Sequence, residues 1–374
     1  MVQVTVAGGA SSIARVVIDA ILAKQKHQVT SLTSCKVDAL DADGIFWLHV
    51  DYDDQSGLVD KLRGTDVLLC FFSAQDFSTV SQREKNLIDA AILAGVRRFA
   101  LAEYAGRNYN GMTRFEFKDE IREYLEEINR EKKIGLFTNE FAHPHKTARH
   151  FESLRLYVDF ETRRAIRAGN GQHTLTLTTV EDLAAVVAEA VDFPEEWPRI
   201  GGTCGSRITV NELIGLDESL RGSLTVESVD EDDIYAGKLP VAWYPIVEHA
   251  GVPENLREDL SKLASLNFIK GTINGSWNVS DEWNKLLPHL NFTDARTYLT
   301  QSKRLSLYPA FALRLETPKV QKLFLGVEIS NSNFIASFVF RKANANQFSN
   351  HHRHLELAPY FERNDDRLPV LVEA

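Results

Sequence analysis

Cysteine, positive charge and long apolar runs are what this chain has least of, and each shortage removes a class of function. Its three cysteines, Cys35, Cys70 and Cys204, stand far apart in 374 residues, so they form neither a disulfide framework nor a zinc set. Lysine and arginine number 42 against 52 acids, a formal net charge of −10. With no basic stripe to offset repulsion from phosphates, nucleic acid is excluded as a partner. No apolar run reaches the ~18 residues a bilayer span requires, and no leader precedes the first strand. A reduced, soluble, cytoplasmic protein is the expectation. Proton chemistry is narrowed as well: none of the ten tyrosines has a lysine four residues on, so a tyrosine acid paired with a lysine one helical turn later is absent.

What is present is the composition of a globular chain, 44% hydrophobic and 25% charged, with an ample core. The most informative stretch comes first. Val2, Val4 and Val6 alternate with Gln3 and Thr5, the small-residue turn Gly8-Gly9-Ala10-Ser11-Ser12 follows, and Ile13, Val16, Val17, Ala20 and Ile21 recur at helical spacing. A strand feeding a helix through a turn of small residues lets backbone N–H groups approach a diphosphate at the positive helix end. The turn is poor in glycine. At the spacing Gly-x-x-Gly-x-x-Gly the key positions are Gly8, Ser11 and Ala14. Ala14 still permits close helix–sheet packing, and Ser11 can offer its hydroxyl and N–H to a phosphate while placing a side chain where backbone approach matters. An ordinary strand–turn–helix without a ligand is the alternative.

Strand and helix signals then alternate. Gln28–Thr33 reads as a second strand, Ile45–Val50 as a third, Val67–Phe72 as a central strand buried on both faces, and Arg98–Leu101 as a fifth. Helices are expected around Leu58–Leu62, at Leu87–Ile92 closed by Gly95, and from Phe115 to Glu131. The fold class is therefore α/β: a doubly wound parallel sheet, an NAD(P)-binding Rossmann fold. Thr178–Glu181 and Thr209–Glu212 each read as a capping box. Residues 220–290, with Trp243, Tyr244, Trp277 and Trp283, read as part of a smaller C-terminal substrate lobe. The expected divisions are a dinucleotide-binding core over 1–150, the remainder with the substrate lobe over 151–302, and an extension over 303–374. In that extension Leu323–Ile329 and Phe334–Phe340 resemble two strands.

After the second strand come Ser34-Cys35-Lys36. An acid closing this strand would hold the ribose hydroxyls of NAD; none is present. Ser34 and Lys36 suit a 2′-phosphate, which favours NADP over NAD, the alternative being a solvated loop. The histidines His143, His145 and His150 are unevenly spaced around Pro144 and fit no helical metal pair, so no metal is expected. His143 is a candidate for lining a pocket, as is Tyr104, which lies just past the fifth strand on the edge where open sheets bind ligands.

Several motifs in order, Gly8-Gly9-Ala10, Val50-Asp51-Tyr52-Asp53-Asp54, Gly95-Val96-Arg97-Arg98-Phe99, Ala102-Glu103-Tyr104 and Phe115-x-x-Lys118-x-x-Ile121-Arg122, resemble the NmrA-like, isoflavone-reductase-like group of atypical short-chain dehydrogenases. Thr179-Val180-Glu181-Asp182 and Ser280-Asp281-Glu282-Trp283-Asn284 are similar to its fungal members. The resemblance covers residues 1 to about 300. It implies that Lys118 assists proton transfer while NADPH delivers hydride to an aromatic or polyketide-like small molecule, often in secondary metabolism. It also implies cofactor contacts from the Gly8, Gly9, Ala10, Ser11, Ser12 and Ile13 turn, an adenine contact from Asp51, and a place beside the cofactor for Ser73. The departures are Ser11 and Ala14 for glycines, Ser34 for the usual arginine, and Ala102 for the serine before Glu103. The family's namesake supplies the alternative, a non-catalytic NAD(P)-sensing regulator. From the residues alone, Arg114 and Arg122 at i−4 and i+4 disfavour a protonated Lys118, whereas Glu116, Asp119, Glu120 and Glu123 would leave it an ordinary solvated lysine.

Overall fold

The computed structural model describes residues 1–34, 44–72, 77–103, 106–107, 116–132, 136–137, 157–160, 162–246 and 254–306. The expected strands at 323–340, and the boundary placed near 150, lie outside them.

The first half alternates β1 (Gln3–Ala7), α1 (Ser12–Ala23), β2 (Gln28–Thr33), β3 (Phe46–His49), α2 (Gln55–Leu62), β4 (Val67–Cys70), α3 (Phe77–Ala94), β5 (Arg98–Ala100), α4 (Glu116–Lys132) and β6 (Leu136–Phe137). The six strands make one sheet in the order β3-β2-β1-β4-β5-β6, and every pairing is parallel. Strand order therefore reverses direction between β1 and β4, which opens a crevice at their carboxyl ends. All four residues of β4 are buried, as a near-continuous apolar run between helices requires. Thr5 of β1 is buried too; its hydroxyl meets that of Thr65 at 2.7 Å, so a polar residue in the alternation is accommodated rather than turned to solvent.

The second half contributes β7 (Val158–Asp159), β8 (Arg164–Ala168), β9 (Thr174–Leu177), α5 (Val180–Asp192), β10 (Ser206–Thr209), α6 (Val210–Arg221), β11 (Thr225–Val229), α7 (Glu231–Tyr235), α8 (Arg257–Ile273), α9 (Glu282–Leu286) and α10 (Ala295–Ser306). β11, β8 and β7 form a three-stranded sheet, and β9 pairs with β10. Their core holds Tyr157, Phe268, Trp277 and Tyr298, with Phe268 and Trp277 stacked at 5.4 Å.

Three cores result. On one face of the large sheet, α1 packs with α5, and Trp283 and Leu287 join Val4, Val6, Val67 and Leu69. The other face carries α2, α3 and α4 over Ala7, Leu68, Cys70 and Phe99. Thus the 220–290 segment is not one lobe: Trp277 serves the second-half core while Trp283 is wholly buried against the dinucleotide sheet. Phe117 of α4 likewise packs into the second-half core, whereas Ile121, Leu125 and Ile128 of the same helix face the sheet. The capping box at Thr209 forms as expected. The one expected at 178–181 does not form: Thr179 caps α5 by accepting from the Asp182 N–H at 3.1 Å, the Thr178 hydroxyl donates to the Thr203 carbonyl, and the Asp182 carboxylate accepts from Thr293.

Candidate functional site

At the end of β1, Gly8 adopts φ +71°. Its N–H is held by the Leu32 carbonyl at 3.1 Å and by the Tyr52 hydroxyl at 3.2 Å. A Cβ there would come within 2.8 Å of the Phe71 carbonyl oxygen, and one on Gly9 within 1.9 Å of Ser31 Oγ. Both glycines are therefore required by close approach of β1 to β2 and β4. Tyr52, buried against Phe72, donates to the Leu32 carbonyl at 3.2 Å; burial drives its phenol well above the ordinary value, so it remains a neutral strut under the turn.

Ser11 is the N-cap of α1, and its hydroxyl accepts from the Ala14 N–H at 3.3 Å, which leaves the hydroxyl proton to be donated. The N–H groups of Ser12 and Ile13 open the helix and have no acceptor within it. Ser12 Oγ is buried and has no hydrogen-bond partner. A turn fixed by two obligatory glycines, two opening amides and an orphaned buried hydroxyl fits a diphosphate. At the neighbouring strand ends, Ser34 and Asp51 are both exposed, and the Val50 N–H bonds the Thr33 carbonyl at 2.9 Å, which brings the two segments together beside the corner. Arg15, one turn into α1, lies 5.6 Å from the Trp47 ring. Lys36, Ser73, Tyr104 and His143 lie outside the described residues.

Two strands across, the chain leaving β5 turns sharply, with the Glu103 N–H bonded to the Leu101 carbonyl at 2.8 Å. Lys118, in the first turn of α4, donates from Nζ to the Ala102 carbonyl at 2.7 Å and lies 3.5 Å from Glu103 Oε2. Its side chain is 12% exposed and that of Glu103 3%. A carboxylate from the packed turn therefore faces this amine; of the two helical arginines expected beside it, Arg114 lies outside the described residues. Beneath the turn lies Glu84 of α3, 3% exposed, which accepts from the Ala102 N–H at 3.1 Å. Burial above all, reinforced by Glu103, pushes its carboxyl up to about 7, against the opposing pull of the Ala102 N–H, the Lys118 charge and the Cys70 thiol. Tyr52 stood inside a quoted motif without a role, and Glu84 stood in none; an acid inside the apolar face of a helix, Glu84 beside Leu87 and Ile88, is the signal that marks it.

A parallel sheet of this order, with a glycine-bearing turn after its first strand and the Lys118 amine docked on the turn after its fifth, defines a Rossmann-type fold. The chain belongs to the NmrA-like family, whose pattern matches residues 2–299. It is similar to the oxidoreductase swnN of Metarhizium robertsii, 25% identical over 255 residues that cover 59% of this chain and 74% of the relative. The structure resembles AtPrR2 with NADP+ and (+)pinoresinol, at a TM-score of 0.58 and 19% identity over 80% of this chain and 98% of that one. It also resembles the leucoanthocyanidin reductase–NADPH complex of Vitis vinifera, at 0.59 and 16% identity, over 80% and 99%. The chain is an enzyme of the oxidoreductase class, of the NmrA-like and isoflavone-reductase-like kind. No helix among its described residues is long and apolar enough to cross a membrane.

Proposed function

We propose that this protein is an NADPH-dependent reductase acting on a carbonyl or conjugated double bond of a small aromatic or polyketide-like metabolite. The observation that carries the reading is the Lys118 amine, nearly buried and held 2.7 Å from the Ala102 carbonyl at the carboxyl edge of the sheet that also carries the Gly8 corner. Gly8, Gly9, Ala10 and the amides of Ser12 and Ile13 hold the diphosphate, with Ser11 and Ser12 as hydroxyl donors. Ser34 and Lys36 meet the 2′-phosphate, Asp51 the adenine, and Ser73 stands beside the cofactor. Tyr104 and His143 line the substrate pocket. When bound, the nicotinamide supplies the hydride. Lys118 Nζ supplies the proton, placed where negative charge develops on the substrate oxygen or carbon, and Glu103, 3.5 Å away, helps to orient the amine.

NADP rather than NAD is supported by the absence of an acid at Ser34 and by the NADP+ and NADPH in the two similar structures. A place in fungal secondary metabolism, in the cytoplasm, belongs to the same proposal. The division into a core over 1–150, a substrate lobe over 151–302 and an extension over 303–374 is part of the same proposal, amended by the return of α5 to the core. The test is NADPH oxidation with a panel of aromatic and polyketide ketones, alongside titration with NADPH and NADH. Lys118→Met should lower turnover by ~100-fold or more and leave the dissociation constant for NADPH unchanged. Tight NADPH binding with no turnover on any acceptor would favour the sensor instead.

A further inference from the structure

We propose that Glu84 is the positioning residue for Lys118: it holds the Ala102 turn on which the amine docks and presents a second buried acid to that amine. The inference rests on Lys118 being the proton donor of the proposed reduction, and the geometry behind it is independent of that reading.

Ala102 is gripped from both sides of one residue. Its N–H donates to Glu84 Oε1 at 3.1 Å, and its carbonyl accepts from Lys118 Nζ at 2.7 Å. The turn at this residue, closed by the Glu103 N–H to the Leu101 carbonyl, leaves regular sheet structure directly after β5. Among the described residues no ladder bond reaches Ala102, and the Glu84 carboxyl grips its N–H from below. Glu84 is itself fixed on α3, in the third turn of an eighteen-residue helix packed on the sheet, and shares a hydrogen bond with the Cys70 thiol at the end of β4. A chain of contacts thus runs from β4 through α3 to the turn and the amine. The groups facing Glu84 are Cys70 from β4, Glu103 after β5 and Lys118 from α4. Further along the α3–α4 seam, Ser81 and Lys85 meet Glu120, and Arg122 lies one turn beyond Lys118. A buried acid at this place, with no substrate contact of its own, is costly to fold around unless it fixes something; what it fixes is the dock of the amine.

Two variants separate charge from shape. Glu84→Gln keeps an acceptor for the Ala102 N–H and an amide that can donate to Cys70 Sγ but carries no charge. Glu84→Leu removes the acceptor. In the full chain, lysines are reductively methylated with ¹³C, and the Lys118 resonance is identified by its loss in Lys118→Arg. The expected result is a Lys118 titration midpoint lowered by roughly half to one pH unit in Glu84→Gln, since a neighbouring negative charge is lost, with the resonance otherwise in place. In Glu84→Leu the resonance itself should move and broaden as the dock is released. With an accepted substrate, kcat in Glu84→Gln should keep its size while its pH profile shifts downward. In Glu84→Leu it should fall by about tenfold or more with KM for NADPH unchanged. An unchanged Lys118 titration in Glu84→Gln, or an unmoved resonance in folded Glu84→Leu, overturns the proposal. A shifted titration in a protein that reduces no acceptor upholds the positioning and overturns the reductase reading instead.

Discussion

Consider Glu84→Gln as a test of folding rather than chemistry. The side chains are nearly isosteric, so the substitution isolates the cost of a charge under the Ala102 turn. In the unfolded chain this carboxyl titrates near its ordinary value of 4.5; in the folded protein burial pushes it up to about 7. Between those two values the folded state binds the proton and the unfolded state does not, so native stability falls as pH rises through that window. At ~1.36 kcal/mol per pH unit, the loss accumulated from below pH 4.5 to above pH 7 is about 3 kcal/mol. Glutamine has no proton to lose and escapes it. The attraction of the Lys118 charge is already contained in the folded value, because that charge lowers it while burial and Glu103 raise it.

The measurement is urea unfolding of both proteins at intervals from about pH 4 to pH 8. At the acid end the two midpoints should coincide within a few tenths of a kcal/mol. The variant should then pull ahead through neutrality and level off above pH 7. Other ionisable groups also bend each curve, but they cancel in the difference. A gap that stays constant with pH, or a variant that is the less stable one at pH 8, would refute the claim that this carboxyl is held mainly by burial.

Three further outcomes follow from the same contacts. Gly9→Ala sets a Cβ 1.9 Å from Ser31 Oγ; urea unfolding should register a loss of about 1–3 kcal/mol, and fluorescence titration a weaker affinity for NADPH. Ser12→Ala removes a buried hydroxyl with no partner, so the unliganded protein should be as stable or slightly more so, while NADPH binding weakens by about fivefold to tenfold. Asp217 is wholly buried between Arg163 and Arg221; Asp217→Ala leaves two guanidinium groups facing each other and should cost about 3 kcal/mol in thermal or urea unfolding.

Local signals made much of the sheet legible. β2 occupies the expected residues, and β3, β4 and β5 fall within one or two residues of theirs, because parallel central strands advertise themselves as apolar runs between helices. Non-local packing was not legible. Nothing in Val180–Asp192 says that it returns to lie on α1, and nothing in Trp283 separates it from Trp277. Which core a tryptophan enters depends on the path of the chain, not on its neighbours in sequence. The site divides the same way. The glycine corner and Lys118 could be picked out as motifs, whereas the acids around the amine come from α3 and from the end of β5, 34 and 15 residues away from it in sequence. The helical arithmetic that placed Lys118 among arginines counted only residues near it in sequence, whereas Glu84 and Glu103 reach the amine from other elements.

The sheet itself separates binding from chemistry. The Gly8 corner ends β1 and the Ala102 turn follows β5, with β4 between them in fixed parallel register, Val4 opposite Val67 and Val67 opposite Arg98. Two inter-strand steps place the ends about 10 Å apart, so a bound dinucleotide can rest its diphosphate on one while its reactive end reaches the other. The corner comprises Ser12 of α1 with Ser31 and Leu32 of β2 and Tyr52 after β3; the amine, carried on α4, is held by Glu84 of α3 and by Ala102 and Glu103 after β5. These two sets share no residue. Damage to the first set should therefore appear in the dissociation constant for NADPH and damage to the second in kcat, and a double variant taking one residue from each set, such as Ser12→Ala with Glu84→Leu, should show free-energy effects that add. Strong coupling between them would mean that the sheet is not the rigid spacer its register implies.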